Sequence, residues 1–349
     1  MSSEKEREQI KGKRYDEKLF KQAYRAAIQA KALEERLRRR KQILKFVGIV
    51  FLLIFLVLAT IFFLRFFNGT QDYIETGNYP AESIFLPITG EEISKSVLLQ
   101  VPSVDVKAQG VLAVNPANGN IIYQREMHER LPVASLTKIM TVIVTLENFN
   151  LDDVVEVSVE NMPESVNWSL KLKEGDKITV SNLIKAMLIP SFNDAAYAIA
   201  NAYPNGGYVG FVKEMNRRAK VIGMNNTLFV NPSGWDEEGA YSTAYDIAIL
   251  TSVARKYPYI VDTVSQTSET IYWSSNDDLV SEKVRTTNLL ANTTKYVKGF
   301  KTGITDLSGP CFVGYFVYSD NDELITVVLN SKQRFEDTKL LESVYRLKR

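Results

Sequence analysis

The chain has 349 residues, with 42 Lys and Arg against 41 Asp and Glu, one His and one Cys. A single Cys excludes an internal disulfide, and one His with one Cys falls short of the two or three such ligands that zinc sites usually need, so no metal or other cofactor is expected. The near-neutral total hides an asymmetry: residues 1–45 carry a net charge of +8 and residues 65–349 one of −7.

In the basic tail, residues 1–45, Tyr15 to Lys41 is rich in helix formers, and Leu19, Ala23, Ala26, Ala30, Leu33 and Leu37 recur at heptad spacing. The pattern predicts a solvated basic helix near anionic lipid, with a cytoplasmic helix partner as the alternative. Acids mixed into the tail argue against nucleic acid. The uncharged run Phe46 to Leu64, between Lys45 and Arg65, would be about 29 Å long as a helix, enough to cross a bilayer once. The basic end predicts a cytoplasmic N-terminus and a domain outside the membrane. No cleavage is expected, because Phe62-Phe63-Leu64-Arg65-Phe66-Phe67 lacks the small residues of a signal-peptide cut. Residues 65–102 lack a sustained period and read as a stalk. Leu86-Pro-Ile-Thr-Gly90 in this stretch is similar to a cell-wall sorting signal, but it follows an N-terminal span instead of preceding a C-terminal one, and is read as coincidence.

Residues 103–349 should form one folded domain. It opens on a hairpin signature, Gln109 to Asn115 and Gly119 to Tyr123, around the turn formers Pro116 to Gly119. Helical patterns follow over Ser135–Asn148, Val180–Ala202, Gly207–Ile222 and Thr243–Lys256. Three strands are then predicted over Tyr296–Thr302, Cys311–Tyr318 and Leu324–Asn330, and a last helix from Arg334 to Leu347. The fold class is α+β: one antiparallel sheet, its strands drawn from both ends of the chain, flanked by helices and a helical subdomain.

Three short strings in this domain carry chemistry as an ordered set: Ser135-Leu-Thr-Lys138, Ser191-Phe-Asn193 and Lys301-Thr302-Gly303. Ser135 and Lys138 lie about one helical turn apart on one face. A serine hydroxyl needs a base, and a Lys serves only if burial and a second cation, for which Lys301 is the candidate, lower its pKa from about 10.4 to roughly 7–8. The only His, His128, sits in the polar stretch Arg125 to Arg130 and reads as a solvated loop residue, which argues against a Ser-His-Asp triad. Ser191 and Asn193 follow a break at Pro190; Asn193 can both donate to and accept from a substrate amide, and Ser191 can pass a proton between Lys138 and a leaving nitrogen. Lys301, Thr302, Gly303, Ile304 and Thr305 end an apolar strand with a cation and two hydroxyls, an edge that fits a carboxylate. The N–H groups of Ser135 and Ile304 would form an oxyanion hole if that strand lies beside the helix start.

With Asn231-Pro-Ser-Gly234-Trp, Ser242-Thr-Ala-Tyr-Asp246, Thr287-Asn288-Leu-Leu290 and Ser308-Gly-Pro-Cys311 added, residues 106–349 resemble the serine D-alanyl-D-alanine carboxypeptidases, the low-molecular-mass penicillin-binding proteins. The resemblance implies a penicillin-binding and β-lactamase-like transpeptidase fold, preceded here by one transmembrane helix. It implies attack by Ser135 on a peptidoglycan stem peptide, with Lys138 as base, Ser191 and Asn193 as relay and substrate contact, and Lys301, Thr302 and Thr305 as carboxylate site. β-Lactams would then be covalent inhibitors. Three departures stand out. Phe192 replaces a frequent Gly, no added C-terminal β-domain is expected after the catalytic sheet, and the arginine often found before the Lys-Thr-Gly strand has only Arg285 as a poorly registered candidate. A β-lactamase is the enzymatic rival, but none of Glu147, Glu156, Glu160, Glu164 and Glu174 lies in a Glu-x-x-Leu-Asn string. A non-catalytic scaffold or sensor is the rival of another class, and it would have no need of Ser135, Lys138, Asn193 and Lys301 together.

Overall fold

The computed structural model describes residues 104–163 and 170–348. The predicted basic tail, membrane span and stalk lie outside the described residues. Among the described residues no helix is long and apolar enough to cross a membrane.

The hairpin forms as predicted, with β1 at Gly110–Val114 and β2 at Ile121–Arg125. The three late strands are β7 (Val297–Thr305), β8 (Gly309–Ser319) and β9 (Asp322–Leu329). They join the hairpin in one antiparallel sheet of order β2-β1-β9-β8-β7, in which Gly110 pairs with Leu329. Alternation along β1 explains why all five of its residues are buried. Leu112 and Val114 face the main core, whereas Val111 and Ala113 pack with Leu341 and Tyr345 of the last helix. Helices therefore cover both faces of the sheet, and β7 is left as an edge strand.

In chain order the helices are α1 (Lys138–Asn148), α2 (Val180–Leu188), α3 (Asp194–Asn201), α4 (Gly207–Val221), α5 (Ala244–Ala254), α6 (Pro258–Val264) and α7 (Arg334–Lys348). Thr179 and Thr243 cap α2 and α5 by accepting from Asn182 N and Asp246 N. The helical pattern predicted over Val180–Ala202 forms two helices parted at the expected break: the chain turns through Pro190 and Ser191, whose φ of 73° is left-handed. A second difference is a further four-stranded sheet, β3 (Val154–Glu156), β4 (Lys177–Thr179), β5 (Ser268–Ser275) and β6 (Asp278–Arg285). The described residues thus form two sheets where one was predicted. Asn276 and Asp277, both at positive φ, form the two-residue turn that closes β5 onto β6.

Candidate active site

Ser135 lies on a 3-10 turn, Ala134–Thr137, and Lys138 is the first residue of α1, so the helix starts three residues later than predicted. The one-turn spacing survives. Lys138 Nζ is 2.7 Å from Ser135 Oγ, and it donates to Asn193 Oδ1 at 2.6 Å and to the Ser233 carbonyl at 2.7 Å. Those last two oxygens can only accept. A neutral amine has two N–H groups and one lone pair, so with both N–H groups committed its lone pair falls on the Ser135 hydroxyl. That arrangement suits a base. Lys138 is fully buried, and burial first, then the charge of Lys301, lowers its pKa well below that of an ordinary lysine.

Ser233 was not singled out by sequence, since any residue offers a backbone carbonyl. Its placement depends on Gly234. At φ of 74° a side chain there would be strained, and a Cβ would stand 1.9 Å from Ala134 O. Glycine lets the 231–234 loop lie directly on the turn that carries Ser135. Asn231 holds the loop's shape by accepting from Ser233 N and Gly234 N.

Ser191 is on the opposite wall, where its Oγ accepts from Lys301 Nζ at 2.7 Å. Sequence reasoning paired Ser191 with Lys138; the structure pairs it with Lys301. The Lys301 ammonium also donates to Thr302 O at 2.9 Å, and burial followed by the charge of Arg334 lowers its pKa to about 7. Arg334, the first residue of α7, was missed. Its guanidinium donates to Gly303 O at 2.7 Å and to Cys311 O, bracing the Lys-Thr-Gly strand from behind. Arg285 lies instead on β6 and pairs with Ser268.

β7 packs across the 3-10 turn. A Cβ on Gly303 would come within 3.0 Å of Ser135 N, which sets Ile304 beside the start of the Ser135 turn. Regular pairing from Gly299 to Thr305 makes side chains alternate, so Thr302 and Thr305 point to opposite faces. The Thr302 hydroxyl is hydrogen-bonded to Thr287, and the Thr305 hydroxyl donates to Ser308 Oγ at 2.8 Å. The two hydroxyls expected to share a carboxylate are thus not side by side, and Thr302 is the one coupled to the Ser191 wall, since Thr287 N donates to Ile189 O.

Behind Lys138 lies the buried Asp194, the residue after Asn193. Leu172 N and Ala195 N donate to its two oxygens. Burial raises its pKa while those backbone donors oppose the rise, and its charge in turn raises that of Lys138. His128 is exposed, with its ring 4.9 Å from that of Tyr245. No glutamate is hydrogen-bonded to Ser135 or Lys138 among the described residues; Glu164 lies outside them. No group of residues suited to a metal occurs among the described residues.

Comparison with known proteins places this geometry. The D-alanyl-D-alanine carboxypeptidase family model matches residues 96–333, more than half of the chain. The chain belongs to this family. One relative is the D-alanyl-D-alanine carboxypeptidase DacF of Bacillus subtilis, 33% identical over 59% of this chain. This chain spans only 53% of DacF. Another is a D-alanyl-D-alanine endopeptidase of Escherichia coli, 29% identical over 70% of this chain and 78% of its own length. Among solved family folds, the Streptomyces K15 DD-transpeptidase aligns with a TM-score of 0.66 at 27% identity, covering 71% of this chain and all of its own. Penicillin-binding protein D2 of Listeria monocytogenes, in its ampicillin-bound form, aligns with a TM-score of 0.61 at 30% identity, over 70% of this chain and 100% of its own. The penicillin-binding α+β fold is therefore shared.

Proposed function

We propose that this chain is a membrane-anchored serine D-Ala-D-Ala carboxypeptidase that trims peptidoglycan stem peptides through an acyl-enzyme at Ser135. The observation that carries the reading is the buried Lys138 amine held 2.7 Å from the Ser135 hydroxyl by two obligate acceptors. Lys138 takes the Ser135 proton as Oγ attacks the carbonyl of the penultimate residue, and the N–H groups of Ser135 and Ile304 hold the oxyanion. Ser191, with Lys301 donating to its oxygen, hands its proton to the leaving nitrogen and takes up the one that Lys138 removed, so that Lys138 is neutral again. The C–N bond breaks and the terminal D-Ala departs. Water then attacks the ester, its proton going to Lys138 and from there to the departing Ser135 oxygen, which frees the shortened peptide and restores Ser135 beside a neutral Lys138. Asn193 faces the substrate amide, while Lys301, Thr302 and Gly303 read the terminal carboxylate. Thr305, on the other face, steadies the strand end. β-Lactams, of which ampicillin occupies the Listeria relative, enter by the same acylation.

A stem pentapeptide should lose its terminal D-Ala, as mass spectrometry of a digest by the full-length chain would show. The same peptide capped as an amide should turn over about tenfold or more slowly, because charge-assisted hydrogen bonds at the Lys301 end go unmade. Equal kcat/KM for acid and amide would favour a second reading, an endopeptidase cutting within cross-links, which the Escherichia coli relative's name supports.

The two lysines set the sign of the pH dependence. Acylation needs neutral Lys138, so kcat/KM rises as that group loses its proton at its depressed pKa. A carboxylate substrate needs charged Lys301, so kcat/KM falls once Lys301 deprotonates from a pKa of about 7. Asp194→Asn removes a charge that favours protonated Lys138, and should move the acid limb to lower pH while leaving the alkaline limb in place. An unmoved acid limb would separate Asp194 from the base.

For the anchor, the proposal rests on the apolar run Phe46 to Leu64 and the charge asymmetry around it. Protease added outside intact cells should digest the domain and spare the first 45 residues. Loss of the tail instead would reverse the topology.

A further inference from the structure

Residues 104–109 bring the chain into the domain, and they lie against the helix that braces the substrate edge. Val106 and Ala108 are buried in the cluster that holds Leu341 and Tyr345 of α7. Gln109 N donates to Leu329 O at 3.0 Å, which sets the end of the segment beside the end of β9. Lys107 has an exposed side chain, while its backbone N donates to Asp337 Oδ1 at 3.0 Å.

Asp337 is buried in the first turn of α7. Its other oxygen, Oδ2, accepts from Ser331 Oγ at 2.6 Å. Ser331 is itself fixed to the start of β8, where its N donates to Pro310 O at 2.8 Å, and its carbonyl accepts from Arg334 N at 3.2 Å. One carboxylate therefore ties three pieces of chain together: the entering segment, the turn after β9 and the first turn of α7. Burying a carboxylate is costly unless donors compensate it, and Asp337 forms no ion pair with a Lys or Arg among the described residues, so these neutral donors hold it. Arg334, whose guanidinium donates to Gly303 O and Cys311 O, starts from that tied turn.

We propose that Asp337 is a positioning residue for the substrate-carboxylate site, and that through Arg334 it couples the segment entering the domain to the Lys301 strand. The inference rests on the carboxypeptidase reading, in which Lys301 takes the substrate carboxylate. In the anchored chain the entering segment is the domain's link to the membrane. Without the Asp337 bridge, the first turn of α7 loses its ties to Lys107 and to the Ser331 hydroxyl, and the guanidinium is no longer fixed behind Gly303. The strand edge then holds the carboxylate less well.

The test is the pH dependence of kcat/KM for a stem pentapeptide, measured on the full-length chain. The charges that act at the site are that of Arg334 on Lys301, and those of Lys301 and Asp194 on Lys138. With Arg334 displaced, Lys301 keeps its proton to higher pH, so the alkaline limb moves up. Asp337→Ala should lower kcat/KM about threefold or more below that limb, the size of a weakened hydrogen bond. It should also raise the limb by about half a pH unit, part of the roughly 1–3 units that a charge a few ångströms away can impose. The acid limb, set at Lys138, should stay in place. A plain loss of folded enzyme would lower the rate at every pH and move neither limb. Asp337→Asn, whose Oδ1 can still accept from Lys107 N, should recover most of both changes. Lys107→Pro removes the N–H itself and should raise the limb, whereas Lys107→Ala keeps it and should not. An alkaline limb that stays put in either Asp337→Ala or Lys107→Pro, or that moves as far in Lys107→Ala, would overturn the proposal while leaving the carboxypeptidase reading intact. A parent chain that neither releases D-Ala nor is labelled by penicillin would overturn the reading of the whole site, and this proposal with it.

Discussion

Ser135→Ala is expected to abolish covalent labelling of the full-length chain by a fluorescent penicillin, even at saturating drug. The β-lactam presents a reactive carbonyl and a nearby carboxylate, the two groups that the Ser135 turn and the Lys301 strand are arranged to hold. Among the described residues Ser135 carries the hydroxyl that is hydrogen-bonded to Lys138 Nζ, whose other partners are an amide oxygen and a backbone carbonyl. The other serine singled out at the site, Ser191, accepts from Lys301, which is aligned as a donor to it. The fold should survive, because Ser135 is half-buried and the change removes only one hydroxyl from a turn held by backbone and by Gly234. Thermal unfolding of the variant should stay close to that of the parent, within the roughly 0.5 kcal/mol typical of substitutions that disturb no packing. A labelled band from a folded Ser135→Ala chain would remove Ser135 as nucleophile. Fast release of hydrolysed drug by the parent chain would favour the β-lactamase alternative.

Lys138→Ala and Lys138→Arg are both expected to slow acylation by about 10²–10⁴-fold, the usual contribution of a general base. The comparison between them is informative. Arg retains the positive charge but does not give up its proton at any usable pH, so it cannot take the proton of Ser135. The site also has no space for it, since the Lys138 side chain is fully buried. Stopped-flow acylation by a chromogenic cephalosporin would measure the rates. Near-parental acylation by Lys138→Arg would show that Lys138 acts by charge alone, and the lone-pair assignment would be wrong.

The parts of this site that could be read from sequence are those whose chemistry demands a particular side chain at a particular spacing. Ser135 with Lys138, Asn193 and Lys301 are of this kind. The Ser233 carbonyl is not, because a backbone acceptor carries no residue signature; only Gly234, with its left-handed φ, hinted that another segment approaches closely. Arg334 was hidden for a different reason. It acts on the Lys-Thr-Gly strand from the start of a helix 33 residues later, a relation set by the packing of α7 on the sheet. The strand period already implied that Thr302 and Thr305 face apart, and grouping them as one carboxylate site overlooked it. The second sheet escaped because β6, Asp278 to Arg285, is polar and largely exposed, so it lacks the apolar alternation by which strands are recognised. Its turn, Asn276-Asp277, was the available signal.

The pairing of Gly110 with Leu329 also constrains when activity can arise during synthesis. The hairpin, complete at Arg125, is made well before β9, the strand from Asp322 to Leu329 that joins it to β8. Until β9 arrives, nothing connects the hairpin to the Lys-Thr-Gly strand. Arg334 emerges later still, so the support behind Gly303 is among the last contacts to form. Contacts this distant in sequence also make folding slow relative to helical domains of similar size. A chain made only as far as β8 would carry Ser135, Lys138 and Lys301 without the strand that joins the two parts of the sheet or the guanidinium behind Gly303, so the brace on the substrate edge forms after the residues around the nucleophile have been made.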